Sequence, residues 1–485
     1  MKKHRMNICA FVCSLIAICS CTAWKNPAVV LENHPEIYPD YVGVTVPVNI
    51  APLNFMVEDA AYIQAVLCVG GEEVFRASGK DGVVRMPLKS WRKLMAEASG
   101  SAVSVEVSVW NEEYPDGVRY SPFEFNVASD PVDGWLAYRL IEPGYEGWRQ
   151  LGIYQRDLTS FEESAIVTNR HAPTSCVNCH NFPSYSPESM MFHARGAKGG
   201  TILYDAGVLN KIDFRTIGAK KNTTYPAWHP SGKFIAFSSN TTHQIFFAEG
   251  KKPVEVFDTA SDLVLYDVKT GEALTDPRFL TEDVLETFPA WSHDGKYLYF
   301  AAHKAEGLPV VFTPDMQYSL MRVSFDEQTR TFGQTVETLY DAPAMGGSVS
   351  YPRLSPDGKY LLYTRSDYGT FPIWHREADL CMLELATMDH VDVSIWNDES
   401  EADSYHSWSS DGRWAVFGSR RLDGRYTRLF IAYMDREGRP HKPFLLPQED
   451  PNHNVWRMRS YNVPEFISGK VTLPKEAEEL FRTEN

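Results

Sequence analysis

Apolar and polar positions alternate with a period of two from Val42 onward. The stretches VGVTVPVNI, IQAVLCVGG, GVVRMPL, AVSVEVSVW and SPFEFNV send successive side chains to opposite faces, as half-buried strands do. Gly, Asn and Asp between them supply turns. Ser90 to Ala98 has helical spacing instead. The pattern predicts a small β-sandwich ending near Val127, with no catalytic constellation in it and a spacer or interaction role. The turn-rich SDPVDG, residues 129–134, marks a boundary.

A second pattern begins at Tyr225. YPAWHPSGKFIAFSS, FPAWSHDGKYLYFAA from Phe288, YPRLSPDGKYLLYTR from Tyr351 and YHSWSSDGRWAVFGS from Tyr405 are copies of one unit. Each predicts a strand whose Trp or Leu packs between sheets, a tight turn that needs Gly for positive φ, and a second strand. One such unit cannot bury both faces alone, so the copies must stack, and a closed ring removes exposed ends. Two weaker segments, GTILYDAGVLNKIDFRTIG and NVWRMRSYNVPEFISGKV, are candidates to complete the ring by joining each other.

Composition agrees with a mainly β chain: 13% of residues are aromatic, and 31 Gly and 30 Pro provide turns. The net charge of −16 argues against a nucleic-acid surface. The N-terminus changes the picture more. Lys2, Lys3 and Arg5 precede an apolar run from Ile8 to Ile18 that is too short to span a membrane as a mature helix. Ile18-Cys19-Ser20-Cys21 then resembles a bacterial lipobox, which implies cleavage before Cys21 and lipid attachment there. The expected organisation is residues 1–20 as leader, 21–40 as tether, 41–130 as the sandwich-like domain, 131–200 as a connecting segment, and 201–485 as the repeat domain. The expected location is the outer membrane, reached only through the lipid and facing the periplasm, with display on the cell surface as the alternative. Cys68 and Cys381 sit in apolar surroundings and read as buried thiols.

The connecting segment carries Cys176-Val177-Asn178-Cys179-His180. C-x-x-C-H resembles the attachment site of c-type haem, which implies one covalent haem on Cys176 and Cys179 with His180 as proximal iron ligand. Met190, Met191 and His193 follow, and His171 precedes; Met191 or His193 is the expected second axial ligand. Arg195 is a candidate partner for a haem propionate. Other readings remain open: a zinc site completed by remote histidines, a redox dithiol, or a disulfide.

The repeats resemble those of TolB-type β-propellers. Together with LAYRLIEP, GIYQRDL, CVNCH, FHARG and YNVPEF, they make the chain similar to TolB-like propeller lipoproteins of the Bacteroidetes type that carry an embedded C-x-x-C-H. The resemblance implies a propeller of six or seven blades behind the sandwich domain. The expected function is electron transfer or redox sensing by a haem lipoprotein, with the propeller docking an envelope partner. A scaffold binding protein or glycan, or a propeller-based polysaccharide lyase or hydrolase, is the alternative. His229, His293, His303, His375 and His406 could line a propeller face for the last of these. No G-x-S-x-G or H-E-x-x-H is present, and an electron carrier or binding protein is expected ahead of an enzyme.

Overall fold

The computed structural model describes residues 24–142, 151–169, 176–195, 199–214, 223–250, 252–308, 310–474 and 476–477. The leader and Cys21 lie outside them, as does His171.

A seven-stranded and a three-stranded sheet follow, with a helix at Leu88–Glu97 where the spacing predicts one; Val29–Val30 and Ile37–Tyr38 are strands of these sheets, which corrects the expectation of a tether over 21–40. Trp91, Leu94 and Met95 bury the inner face of that helix, and Trp91 Nε1 donates to the Ile50 carbonyl at 2.8 Å. The unit shares a core with strands near the C-terminus: Trp414, Val416 and Ile431 pack in one cluster with Val44, Val46 and Phe125. Tyr433 donates to buried Asp130 at 2.7 Å across the same contact.

Among the described residues the rest forms six four-stranded sheets, consistent with a β-propeller. The inner strand of each is Cys176–Asn181, Thr223–Trp228, Val284–Trp291, Ser348–Leu354, Asp403–Trp408 and Ser460–Ile467. The last of these pairs with Trp135–Ile141, so the C-terminal strand completes the sheet begun by Trp135–Ile141, Gly152–Asp157 and Glu163–Thr168. This corrects three expectations. Residues 131–200 are not a connector but supply strands to two propeller sheets. The C-x-x-C-H motif is itself part of an inner strand. The two weaker segments do not join each other: Gly200–Asp205 and Val208–Ile212 complete the sheet of Cys176–Asn181, while Ser460–Ile467 belongs to the neighbouring sheet.

Every inner strand carries the same bulge, in which two residues oppose one on the next strand. The pairs are Cys179-His180, Tyr225-Pro226, Phe288-Pro289, Tyr351-Pro352, Tyr405-His406 and Val463-Pro464. The first of each pair has a left-handed φ between 47° and 53°. That conformation costs a side-chain-bearing residue roughly 1–2 kcal/mol, and the pairing on both sides of the bulge enforces it. The single residue opposite each bulge is aromatic and at most 1% exposed: Phe192, Phe237, Phe300, Tyr363, Phe417 and Tyr138. A large ring fills the space that the bulge opens.

Neighbouring sheets are stitched by the repeat tryptophans. Trp291 Nε1 donates to the Ala227 carbonyl at 3.1 Å and Trp408 Nε1 to that of Arg353 at 3.3 Å. The turn glycines have two duties. Gly295 has φ +71°, and a Cβ there would lie 2.2 Å from His229 Nε2 of the neighbouring sheet. Gly358 (φ +69°) meets His293 in the same way.

Candidate functional site

The six left-handed residues converge on the propeller axis. The four aromatic ones stack, with centroids 4.3 Å apart for Tyr225 and Phe288, 4.0 Å for Phe288 and Tyr351, and 4.5 Å for Tyr351 and Tyr405, and Cys179 and Val463 complete the girdle. The girdle divides the central channel into two chambers. One, of about 320 Å³, is lined from residues just past the bulges and from the repeat turns, including Tyr185, His293, Arg353, His406 and Glu465. The other, of about 210 Å³, is lined by residues at and before the bulges and by the long hairpin of Phe234–Phe246 and Val254–Asp267. Cys176, Cys179, His180 and Arg195 line this inner chamber, with Arg139, Asn178 and Arg353. Tyr351, Tyr405, Arg353 and Val463 border both.

The inner chamber is rich in unanswered hydrogen-bonding groups. Both ring nitrogens of His180, Asn178 Oδ1, and the Nε atoms of Arg139 and Arg195 are buried without a hydrogen-bond partner. Buried polar groups are normally paired, so five such atoms around one cavity are a strong departure. Three guanidinium groups and no carboxylate line it. Burial, reinforced by the nearby Arg139 charge, pushes His180 down to about 3, so its imidazole is neutral at physiological pH. Burial raises the Cys179 thiol, against the opposing influence of Arg195, so the thiol stays protonated.

In the outer chamber Glu465 accepts from Asn181 Nδ2 at 2.7 Å and from the Phe182 amide at 3.0 Å. Burial outweighs these bonds and raises its carboxyl to about 7. Arg353, drawn to the Glu465 charge, forms no ion pair or side-chain hydrogen bond among the described residues.

The described residues of the inner chamber leave little room for a haem. The inner chamber is smaller than the roughly 300–1,000 Å³ of pockets that enclose drug-sized ligands, and a tetrapyrrole is larger than most of those. The expected axial partners are elsewhere. Met191 packs with Phe214 and Phe237 in another cluster, Met190 is buried with Ile202, and His193 pairs through Nδ1 with Thr201 Oγ1 at 3.2 Å. Cys176 and Cys179 are free thiols, and among the described residues no group of three or more His, Cys, Asp or Glu side chains gathers as a cation site.

The repeat histidines serve structure. His229 Nε2 donates to the Gly295 carbonyl at 3.0 Å, His406 Nε2 to Leu362 at 3.0 Å, and His303 Nδ1 to Gln317 at 2.8 Å. His375 lies between Glu255 and Glu377, and its two carboxylate partners raise it despite burial. Arg353, Glu465, Arg139 and Asn178 were not anticipated. The signal for the first two was in the repeat itself: they stand one residue past the bulge, where Ala227 and Ala290 are small and apolar.

No family model matches the chain. It is 24% identical over 215 residues to the uncharacterized protein Atu1656 of Agrobacterium fabrum, spanning 43% of this chain and 64% of that protein. Among solved structures, puromycin hydrolase matches 65% of the chain and 52% of its own length at 13% identity, with a TM-score of 0.37. A putative dipeptidyl aminopeptidase IV from Bacteroides ovatus matches 66% and 60% at 12% identity, with a TM-score of 0.27. Prolyl oligopeptidase B from Galerina marginata matches 70% and 42% at 10% identity, with a TM-score of 0.34. The chain thus spans about half the length of these proteins. The expectation of a haem electron carrier or redox sensor is corrected at the inner chamber, whose described residues leave about 210 Å³.

Proposed function

We propose that the protein is a six-bladed envelope propeller that binds a small carboxylate-bearing molecule in its central channel. The observation that carries this reading is the inner chamber: three arginines, no acidic side chain, and five buried polar atoms awaiting partners. Buried cations and unpaired amides are costly, and a bound anion repays both. Guanidinium forks favour carboxylates over compact point anions. The lipobox-like Ile18–Cys21 supports a lipid anchor and a periplasm-facing position.

Isothermal titration with hexuronates and with short peptides tests the reading and separates its two sources of carboxylate. Binding by either class that Arg353→Ala weakens about tenfold or more supports it. Equal binding by the variant, or no heat with either class, overturns it.

A hydrolytic or eliminating activity has one specific support, the near-neutral carboxyl of Glu465 beside the channel, which suits a general acid or base. Turnover of a bound uronate or peptide, abolished in Glu465→Gln, would establish it.

A further inference from the structure

A second cavity, of about 390 Å³, lies away from the channel between the loops that follow Tyr360–Ser366 and Trp414–Ser419. Its walls include Trp374, Arg376, Glu401, Arg420, Asp423 and Arg425. Arg420 is 3% exposed, and its guanidinium carbon sits 3.3 Å from the centroid of the Trp374 ring.

Two other buried arginines donate to three or more acceptors each, although Arg428 Nε, like Arg420 Nε, has no partner among the described residues. Arg428 donates to the carbonyls of Arg459, Asn454 and Arg457. Arg156 donates to those of Asp157, Ser160 and Pro447 and to Gln448 Oε1. Arg420 has one such bond, from Nη1 to the Arg425 carbonyl, and its Nε has no partner. Asp423 and Glu401 act on its charge from a distance, but neither forms an ion pair with it among the described residues. Glu401 is engaged by Arg376 at 2.5 Å, and Asp423 Oδ1 accepts the amides of Arg425 and Tyr426 at 2.8 Å each. Burial lowers the Arg420 guanidinium to about 9, so the cation persists at neutral pH without a counterion in contact. A charge kept in such a place calls for a partner.

We propose that this cavity is an anion site for a carboxylate or phosphate group, with Arg420 as its buried cation and Arg376 and Arg425 at its walls. Trp374 holds the guanidinium plane by stacking, which fixes its orientation before the anion arrives. Exposed Arg425 adds a second positive charge at the entrance.

The test uses the full chain with inorganic phosphate and acetate as probes, read by titration calorimetry and tryptophan fluorescence. At least one probe should bind, the fluorescence change should vanish in Trp374→Phe, and Arg420→Gln should weaken binding about tenfold or more. Arg353→Gln, which alters the channel, should leave this binding unchanged and so keeps the two sites distinguishable. If Arg420→Gln fails to fold, Arg425→Ala serves in its place and should weaken binding several-fold. Absence of saturable binding by both probes overturns the proposal, as does binding that survives these substitutions or is lost in Arg353→Gln.

Discussion

Arg353 and Glu465 occupy the same position on two inner strands, one residue past the bulge, and attract each other across the channel without forming an ion pair. Arg353 is therefore left to respond to what enters, while Glu465 is held by Asn181 and the Phe182 amide.

The first consequence is a pH dependence of stability. Glu465 has its carboxyl raised from 4.5 to about 7 by burial. The folded protein then binds this proton more tightly than the unfolded chain does. Its contribution is present at and below the unfolded pKa and declines as pH rises through the window up to about 7. Denaturant unfolding of wild type and Glu465→Gln across that window should show the wild type losing stability relative to the variant as pH rises. Parallel curves would refute the shift.

Anion binding in the channel should follow the same proton. With Glu465 neutral, Arg353 no longer divides its field between a carboxylate and the ligand. Affinity should be higher below neutral pH than above it, and Glu465→Gln should flatten the profile. Calorimetry at several pH values decides this.

The aromatic residues opposite the bulges should be among the most sensitive positions in the core. Phe300→Ala removes a side chain that is 1% exposed and leaves a cavity under a strained bulge. A loss of about 3–5 kcal/mol in urea unfolding is expected. A loss below about 1 kcal/mol would mean that the bulge collapses onto the vacancy.

Gly295→Ala should destabilise for two separable reasons, positive φ and the approach of His229. Combining it with His229→Ala relieves the second and leaves the first, about 1–2 kcal/mol. A double-mutant cycle in denaturant should therefore show favourable coupling between the two changes.

Cys21→Ala should leave the leader uncleaved or move the protein out of the membrane fraction. Normal processing and fractionation would contradict the lipid anchor.

The repeats at Tyr225, Phe288, Tyr351 and Tyr405 made the propeller legible because each keeps its aromatic, Trp or Leu, and turn Gly. Two further inner strands were harder to see. Cys179-His180-Asn181-Phe182 and Val463-Pro464-Glu465-Phe466 hold the same strand positions, but the first is not followed by a Ser-Gly or Asp-Gly turn, and after the second Ser468-Gly469 comes one residue earlier than in the repeats. The spacing of Cys176, Cys179 and His180 drew attention to covalent chemistry, whereas the backbone places Cys179 in the girdle beside Tyr225 and Val463. Arg353 and Glu465 were missed because their meaning depends on strands far apart in sequence. A charge at a position that faces an axis is informative only once the axis is known.

Pairing of Trp135–Ile141 with Ser460–Ile467 also sets the order in which the chain can fold. During synthesis the earlier strand has an open edge until residue 467 arrives, since its final partner is made last. Contacts of such sequence separation form slowly, and unpaired edges invite association with other chains. An exported version of this protein would cross the inner membrane before its ring could shut. The open edge closes only when the two ends of the ring meet.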